Sequence, residues 1–367
     1  MRIGIFTFHR ATNYGAFLQT YGLVSYLKTN GYEVQVVDYK PDGMGCLFVS
    51  LHVNGFIRKC RRLAFNLYKL PELPFKIKKR KMFWNYMENN LPLTRKVESI
   101  DDLPIFDALI VGSDQVWSTK FTGGVDKFYW GQFDRKGACL LSYAASAAED
   151  MINSFYSTNN VGFLKTFDAI SVREDELKDF LSINLPQKTI EKVLDPTLLA
   201  GRSAFDALIK KEKSIKEQYV LIYQVILEKD KEIQQYAAER ASDLNCVIYE
   251  IRQSRLYITR NGFKTRRKRL VTPSEFINLF KYASYIITTS FHGTAFSLLY
   301  NRPFDVVSVS KDVDSRGADI LRQLNLLDRL IVLPINNSRE ELNWDRINKD
   351  LDKLRTGSRQ FLKIHCV

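Results

Sequence analysis

The sequence of 367 residues lacks the features that would place it in several common protein classes. It contains no stretch close to the ~18 consecutive apolar residues that a membrane-spanning helix needs. Its first residues form no apolar signal region, and its five cysteines include no CxxC pair. We therefore expect a cytoplasmic, reduced protein that has neither a disulfide framework nor a metal site and needs no resident cofactor.

Acidic residues are few in relation to basic ones. Lys and Arg number 54 against 41 Asp and Glu, which gives a formal net charge of +13. The excess is concentrated in residues 56–82, where Glu72 is the single acid, and in residues 260–269, which contain no acid. This pattern indicates an anionic partner, either acidic lipid or a phosphorylated small molecule, with a solvated surface as the alternative. Nucleic acid is not expected, because no zinc, helix-turn-helix or aromatic RNA-binding signature accompanies the charge.

The hydrophobic pattern predicts strands that alternate with helices. Residues 3–8 form a short apolar run, a helix-spaced apolar face follows, and residues 34–39 form the next run. A βαβ unit with a parallel sheet is the economical solution, because parallel strands need a crossover connection and the helix supplies it. We predict two Rossmann-like α/β domains that face a cleft, namely residues 1–185, with a basic insertion at 41–95, and residues 186–367, which end in a helical tail.

Histidine is scarce, and His292 has the most informative position. It follows an apolar run and precedes a helix, so it lies at the carboxyl end of a predicted strand, where parallel sheets bind ligands. Gly293 permits close approach of the backbone, Thr294 can cap the helix, and the free N–H groups beside Ser290 favour an anion. With two domains, this site falls in the cleft between them. The alternative is a buried histidine that caps a loop.

Six motifs stand in the order that is typical of polysaccharide pyruvyl transferases, a family that the sequence resembles over about residues 1–310. The motifs are Asn13-Tyr14-Gly15-Ala16 with Gln19, residues 111–117 (VGSDQVW), residues 142–146 (SYAAS), residues 171–174 (SVRE), residues 195–197 (DPT) and residues 290–294 (SFHGT). The resemblance implies the GT-B architecture of glycosyltransferases. It also implies transfer of pyruvate from phosphoenolpyruvate onto two sugar hydroxyls, which forms a cyclic ketal and releases phosphate.

The resemblance implies roles for the cationic residues. Arg173 would clamp the anionic donor, because the planar guanidinium suits carboxylate and phosphate; an ion pair with Glu174 is the alternative. His292 would be the general acid that protonates the methylene carbon, and a bound anion nearby would keep its proton on. Ser290, Gly293 and Thr294 would complete the donor site.

The remaining motifs are expected to serve the acceptor and the domain link. Asp114 would be a base or an orienting acceptor for the incoming hydroxyl, or else a turn residue that binds its own backbone. Asn13, Tyr14 and Gly15 would form a loop that binds either the acceptor or the donor. Asp195 is expected to shape the interdomain link.

One departure from the family pattern concerns the residue before His292. Many relatives carry an arginine at or near this position, whereas this sequence has Phe291. Another cation would then have to substitute for it, and Arg252, Arg255 and the basic block around Arg266 are the residues we consider.

The acceptor and the location follow from the same resemblance. Family members build cell-surface glycans, so we expect a sugar, with a galactose-type residue as a candidate, of a surface polysaccharide or its lipid-linked precursor. An apolar helical face within residues 56–67, flanked by arginines, predicts either a helix on the anionic inner face of the membrane or a helix that covers the first sheet. Two other functions stay open: a GT-B glycosyltransferase that uses a nucleotide sugar, and a non-catalytic glycan- or membrane-binding protein.

Overall fold

Two parallel sheets organise the chain in a computed structural model. The residues described are 1–41, 70–147, 160–209, 213–252, 264–309, 311–334 and 341–365. Within these ranges, the first sheet has seven strands and the second has six, and all of their pairings are parallel. The predicted fold class of two parallel-sheet α/β domains is confirmed.

The first sheet has the strand order β3-β2-β1-β4-β5-β6-β7. Its strands are β1 (Arg2–Phe6), β2 (Glu33–Asp38), β3 (Leu93–Lys96), β4 (Ala108–Val111), β5 (Cys139–Ala145), β6 (Ala169–Val172) and β7 (Ile190–Lys192). Every residue of β4 and β6 is buried, as expected for central strands that helices cover on both faces. In the register of the sheet, Ile3 of β1 lies between Val34 of β2 and Ala108 of β4.

The helices of the first half are α1 (Tyr14–Thr29), α2 (Leu73–Asn90), α3 (Thr119–Thr122), α4 (Asp175–Asn184) and α5 (Pro196–Asp206). Helix α1 begins where the Asn13 side chain accepts a hydrogen bond from the backbone N–H of Gly15 and ends before Gly31, whose φ is +87°. Helix α5 begins in the same way at Asp195, with Pro196 in its first turn.

The predicted insertion at residues 41–95 contributes to the first sheet. Its described part forms α2 and most of β3, and β3 pairs with β2 at the sheet edge. Phe75, Phe83 and Met87 of α2 are buried, so the helix covers the domain. The amphipathic helix predicted within residues 56–67 lies outside the described residues.

The second sheet has the strand order β10-β9-β8-β11-β12-β13. Its strands are β8 (Tyr219–Tyr223), β9 (Val247–Ile251), β10 (Thr265–Lys268), β11 (Tyr285–Thr288), β12 (Phe304–Val307) and β13 (Leu330–Ile331). The helices of this half are α6 (Asp230–Asp243), α7 (Pro273–Tyr282), α8 (Phe291–Leu299) and α9 (Lys311–Gln323). Helix α8 follows β11 directly, which places its N-terminus at the carboxyl edge of the sheet.

The chain ends in helix α10 (Trp344–His365), which returns to the first half. The hydroxyl of Ser358 accepts a hydrogen bond from the backbone N–H of Leu194 at 2.8 Å, and Phe361 packs on Tyr143 of β5. Strand β7 and helix α10 therefore lie with the first sheet, although the predicted division after residue 185 assigned both to the second domain. Among the described residues, no helix is long and apolar enough to cross a bilayer.

Candidate active site between the two sheets

His292 lies at the start of α8 and contacts the first turn of α1. The imidazole is half-buried, and a side-chain carbon placed on Gly15 would lie only 2.2 Å from its Nδ1 atom. The two helix N-termini therefore meet at this ring, one from each half of the chain. The ring also stands perpendicular to that of Phe291, with 5.2 Å between centroids. His292 thus lies between the domains, where the sequence placed it.

Arg173 follows β6 directly and reaches the same region. Its side chain is buried, with Nε 3.0 Å from Glu174 Oε1, Nη1 2.8 Å from Asp195 Oδ2, and the guanidinium 4.6 Å from the centroid of the Phe291 ring. Burial alone would lower the pKa of Arg173, but the charges of Glu174, Asp195 and Asp114 raise it above its ordinary value. The ion pair with Glu174 is formed, and among the described residues Nη2 makes no hydrogen bond.

Asp195 connects these groups from a fully buried position. Its Oδ1 accepts hydrogen bonds from the backbone and hydroxyl of Thr197 at 2.9 and 2.6 Å, and its Oδ2 accepts from Arg173 and, at 3.4 Å, from Ser113. Burial alone would raise the pKa of Asp195, but the charges of His292 and Arg173 and the bonds from Thr197 hold it below its usual range. The role expected for Asp195, shaping the domain link, is thus incomplete, because this carboxylate also faces both cations.

Asp114 lies after β4 in an uncommon backbone conformation. It has a φ of +76°, it forms a bridge with Ala145 at the end of β5, and its Oδ1 accepts a hydrogen bond from the backbone of Gln115 at 2.9 Å. The turn contact that the sequence offered as an alternative is therefore present. Non-glycine residues adopt this region of φ where surrounding structure over-determines them, a situation common at functional sites. The side chain is half-buried, and its charge acts on Arg173.

The three residues beside His292 have different surroundings. Ser290 is the N-cap residue of α8, and its hydroxyl makes no capping bond to the first turn. Thr294 was expected to cap the helix, and this is wrong: its buried hydroxyl donates to the carbonyl of Ser290, because the helix already begins at Phe291. Gly293 packs so closely on Thr288 that a side chain there would meet Oγ1 at 2.1 Å. Gly293 and Thr294 thus build the turn, and Ser290 keeps its hydroxyl uncommitted to the helix.

The loop of residues 13–15 joins the two halves. Asn13 caps α1 and is exposed, whereas Tyr14 is buried. The hydroxyl of Tyr14 donates to the carbonyl of Val271 at 2.8 Å, and its ring stacks on Phe276 of α7 at 4.5 Å. Burial raises the pKa of Tyr14 well above its ordinary value. Tyr14 therefore fixes the domains relative to each other, and Gly15 accommodates His292.

A polar cluster at the ends of β1 and β2 was not singled out from the sequence. His9 Nε2 lies 3.2 Å from Asp38 Oδ1, and Arg10 binds both oxygens of the same carboxylate, its Nε at 2.5 Å from Oδ1. Burial alone would raise the pKa of Asp38, but the hydrogen bonds from His9 and Arg10 lower it strongly. The signal that could have found this cluster is the position of His9 after the first apolar run, residues 3–8, where a parallel sheet binds ligands.

The cations considered as substitutes for the family arginine are committed elsewhere or not described. Arg252 is buried and pairs with Asp230 at 3.1 Å and with Glu250 at 2.9 Å, and Arg266 pairs with Glu217 at 2.6 Å. Arg255 lies outside the described residues. Carboxylates of the second domain hold both guanidinium groups, and whether either of them replaces the family arginine stays a prediction.

The described residues contain no group of three or more His, Cys, Asp or Glu side chains that could hold a metal ion. Two parallel-sheet domains that face each other through the carboxyl edges of their strands have the GT-B architecture. Solved structures support this assignment. UDP-GlcNAc 2-epimerase of Methanocaldococcus jannaschii superposes with a TM-score of 0.54 and 11% identity over 99% of both chains.

Two further structures have the same fold. UDP-N-acetylglucosamine 2-epimerase of Rickettsia bellii gives a TM-score of 0.51 at 11% identity over 99% of this chain and 95% of that one. MnaA of S. aureus, in a co-structure with UDP, gives 0.50 at 12% over 97% and 90%. Comparison with curated protein sequences found no match. The chain belongs to the polysaccharide pyruvyl transferase family, whose model matches residues 13–311. It is therefore a transferase that acts in polysaccharide modification.

Proposed function

We propose that this protein transfers pyruvate from phosphoenolpyruvate onto two hydroxyls of a sugar in a surface polysaccharide or its lipid-linked precursor, forming a cyclic ketal. The observation that carries the proposal is the approach of His292 and Arg173 between the domains. The Phe291 ring contacts both side chains, and Asp195 faces both charges. An acid and an anion-binding group thus occupy one site.

The donor carries a carboxylate and a phosphate, and the site offers hydrogen-bond donors for both. Among the described residues, Nη2 of Arg173 makes no hydrogen bond, so its N–H groups can donate to one oxyanion. The first turn of α8 presents backbone N–H groups at its positive end, beside the Ser290 hydroxyl. We place the phosphate or the carboxylate there and the other anionic group on Arg173.

The chemistry requires a proton donor and a proton acceptor. His292 donates its proton to the methylene carbon, and the adjoining carbon becomes electrophilic. The first sugar hydroxyl adds to that carbon and passes its proton to Asp114. The second hydroxyl then forms the other ketal bond as the bond to phosphate breaks, and its proton leaves with hydrogen phosphate. Solvent returns the proton of Asp114 to His292, which restores the starting state.

The acceptor is proposed to be a galactose-type sugar that is presented at the inner face of the membrane. Helix α2 supports contact with an anionic surface, because Lys78 and Lys81 are exposed on it together with Ile77. Each basic residue near an anionic bilayer contributes about 1 kcal/mol of attraction. The buried residues of α2 pack against the domain, so any membrane contact uses its outer face.

The test incubates the protein with phosphoenolpyruvate and a series of galactosides, and follows phosphate release and the mass of the acceptor. We expect pyruvylated sugar and equimolar phosphate. His292→Ala should lower turnover by roughly 10²-fold or more. The matched control is His365→Ala, because His365 lies near Cys139, at the opposite end of β5 from the site, and should leave turnover unchanged.

Two outcomes would overturn the proposal in different ways. The M. jannaschii epimerase is known in complex with UDP-GlcNAc and UDP, and it shares the fold. Nucleotide release from a nucleotide sugar, without turnover of phosphoenolpyruvate, would therefore identify a glycosyltransferase. A His292→Ala protein that binds glycan or vesicles as well as the wild type does, when neither protein has activity, would indicate a binding protein.

A further inference from the structure

Asp195 stands where three elements of the site converge. It caps α5, its Oδ2 accepts from Ser113 after β4 and from Arg173 after β6, and α5 packs on both α1 and α8. The carboxylate is fully buried and accepts four hydrogen bonds within the described residues. A side chain held from this many directions has little freedom, so it fixes whatever binds to it.

We propose that Asp195 is a positioning residue for the transfer reaction, which holds the Arg173 guanidinium through Nη1 and supplies the buried negative charge that keeps His292 protonated. This inference rests on the proposed function. The Asp195 bond engages one edge of the guanidinium, and the Glu174 bond engages Nε, so Nη2 is the group left to face a donor. Asp195 acts through these two cations and touches neither substrate.

The charges around His292 explain why a counter-ion is needed there. The imidazole adjoins the positive N-termini of α1 and α8, and Arg173 lies across the Phe291 ring; all three disfavour a second positive charge. Asp195 caps α5, which packs on α8, and the charge of His292 lowers the pKa of this carboxyl, so the ionised carboxylate in turn favours the protonated imidazole. Within the described part of the chain, the other ionisable groups that act on Asp195 or Arg173 include Glu174 beside β6, Asp114 after β4 and Tyr143 of β5.

A purely structural role for Asp195 makes a different prediction. Asp195 caps α5, and asparagine caps helices about as well as aspartate does. Asp195→Asn therefore preserves the cap and the shape of the side chain and removes the charge. If Asp195 served only as a cap and as the ion-pair partner of Arg173, this substitution would lower stability but leave the pH profile of turnover unchanged.

The experiment measures turnover against pH for wild type, Asp195→Asn and Thr197→Val. A general acid must be protonated, so activity falls as pH rises through the titration of His292. Loss of an opposite charge should move this descending limb to lower pH by about one pH unit or more, and raise KM for phosphoenolpyruvate. Thr197→Val removes one hydrogen bond to Asp195 but leaves the charge of Asp195 in place. The descending limb of its pH profile should therefore stay at the wild-type position. An Asp195→Asn profile with the wild-type limb, merely scaled down, would overturn the proposal.

Two additional measurements keep the test decisive. In protein with ¹³C-labelled histidine, the His292 ring signal should titrate at lower pH in Asp195→Asn than in wild type, whether or not phosphoenolpyruvate is the donor. If neither protein turns over phosphoenolpyruvate but the His292 signal still titrates at lower pH in Asp195→Asn, only the proposed reaction is refuted. If the His292 signal titrates at the same pH in both proteins, the role of Asp195 is refuted. If Asp195→Asn does not fold, Asp195→Glu decides: it keeps the charge, so a limb displaced to lower pH would contradict the inference.

Discussion

Gly15 gives the sharpest test of whether His292 works from its position between the domains. A side-chain carbon on Gly15 would lie 2.2 Å from Nδ1, 2.4 Å from Cε1 and 2.7 Å from Cγ of His292. Heavy atoms in favourable contact lie about 3.5 Å or more apart, so Gly15→Ala creates an overlap of about 1.3 Å. The backbone of α1 is held by its cap and its helix, and the imidazole must therefore move by about 1 Å.

A displacement of this size has a predictable effect on rate. Misplacing a reacting group by about 1 Å costs about 10²-fold in turnover, which equals roughly 3 kcal/mol of transition-state stabilisation. Stability should fall only modestly, because overpacking costs about 1–3 kcal/mol and the higher helix propensity of alanine offsets about 1 kcal/mol of it. We therefore expect Gly15→Ala to lose most of its activity but only a few degrees of melting temperature.

Phosphate release from phosphoenolpyruvate gives kcat, and calorimetry gives the melting temperature. The matched control is Gly357→Ala in α10, because a side chain there meets no atom within 4 Å. It should leave kcat unchanged and raise the melting temperature, since it replaces an interior helical glycine. A Gly15→Ala protein that turns over at the wild-type rate would show that the imidazole does not act from its place against α1.

Two further substitutions test the domain contact and a buried charge. Tyr14→Phe removes the hydrogen bond to the carbonyl of Val271 and should lower the free energy of unfolding in denaturant by about 1–3 kcal/mol. Its kcat should stay within a few fold of wild type. Unchanged stability would contradict the role of Tyr14 in fixing the domains relative to each other. Burial lowers the pKa of Lys79 from 10.5 to about 8, so the unfolded chain holds this proton up to higher pH and stability should rise with pH between these values. Lys79→Met should then unfold at higher denaturant at neutral pH, by up to about 3 kcal/mol, and lose that rise; equal pH slopes in the two proteins would refute this.

The sequence was sufficient for the sheets where strands are buried on both faces. Residues 108–111 and 219–223 are continuous apolar runs, and the structure buries all of their side chains. The edge strand β3 gave no such signal, because Arg95 and Lys96 are exposed at the sheet edge and need no apolar pattern. The sequence also could not predict that α10 packs on the first sheet, because the apolar face of this helix would have fitted either domain.

The site divides in the same way into local and long-range features. The position of His292 follows from a strand, a glycine and a helix within a few residues, and this pattern can be recognised locally. The partners of Asp195 and Tyr14 cannot be recognised from the local sequence. Ser113 and Val271 are distant in sequence and come close only through the topology of the two sheets. Asp195 could be recognised as a helix cap, whereas its charge contacts depend on the strand order.

Phe291 stands next to His292 where many relatives carry an arginine, so the proposed reaction must proceed without that cation. Its ring lies 4.6 Å from the Arg173 guanidinium, a cation–π contact worth about 0.5–2 kcal/mol, where a second guanidinium would repel the first. The carboxylates Asp114, Glu174 and Asp195 outnumber the two cations, so net charge alone does not attract a trianion to this position. Donor binding must therefore rely on oriented N–H groups, namely Nη2 of Arg173 and the first turn of α8. Fixed dipoles that are oriented in advance act most strongly on charge that develops during the reaction. The absent arginine is thus compatible with catalysis, because a directed set of hydrogen-bond donors replaces its positive charge.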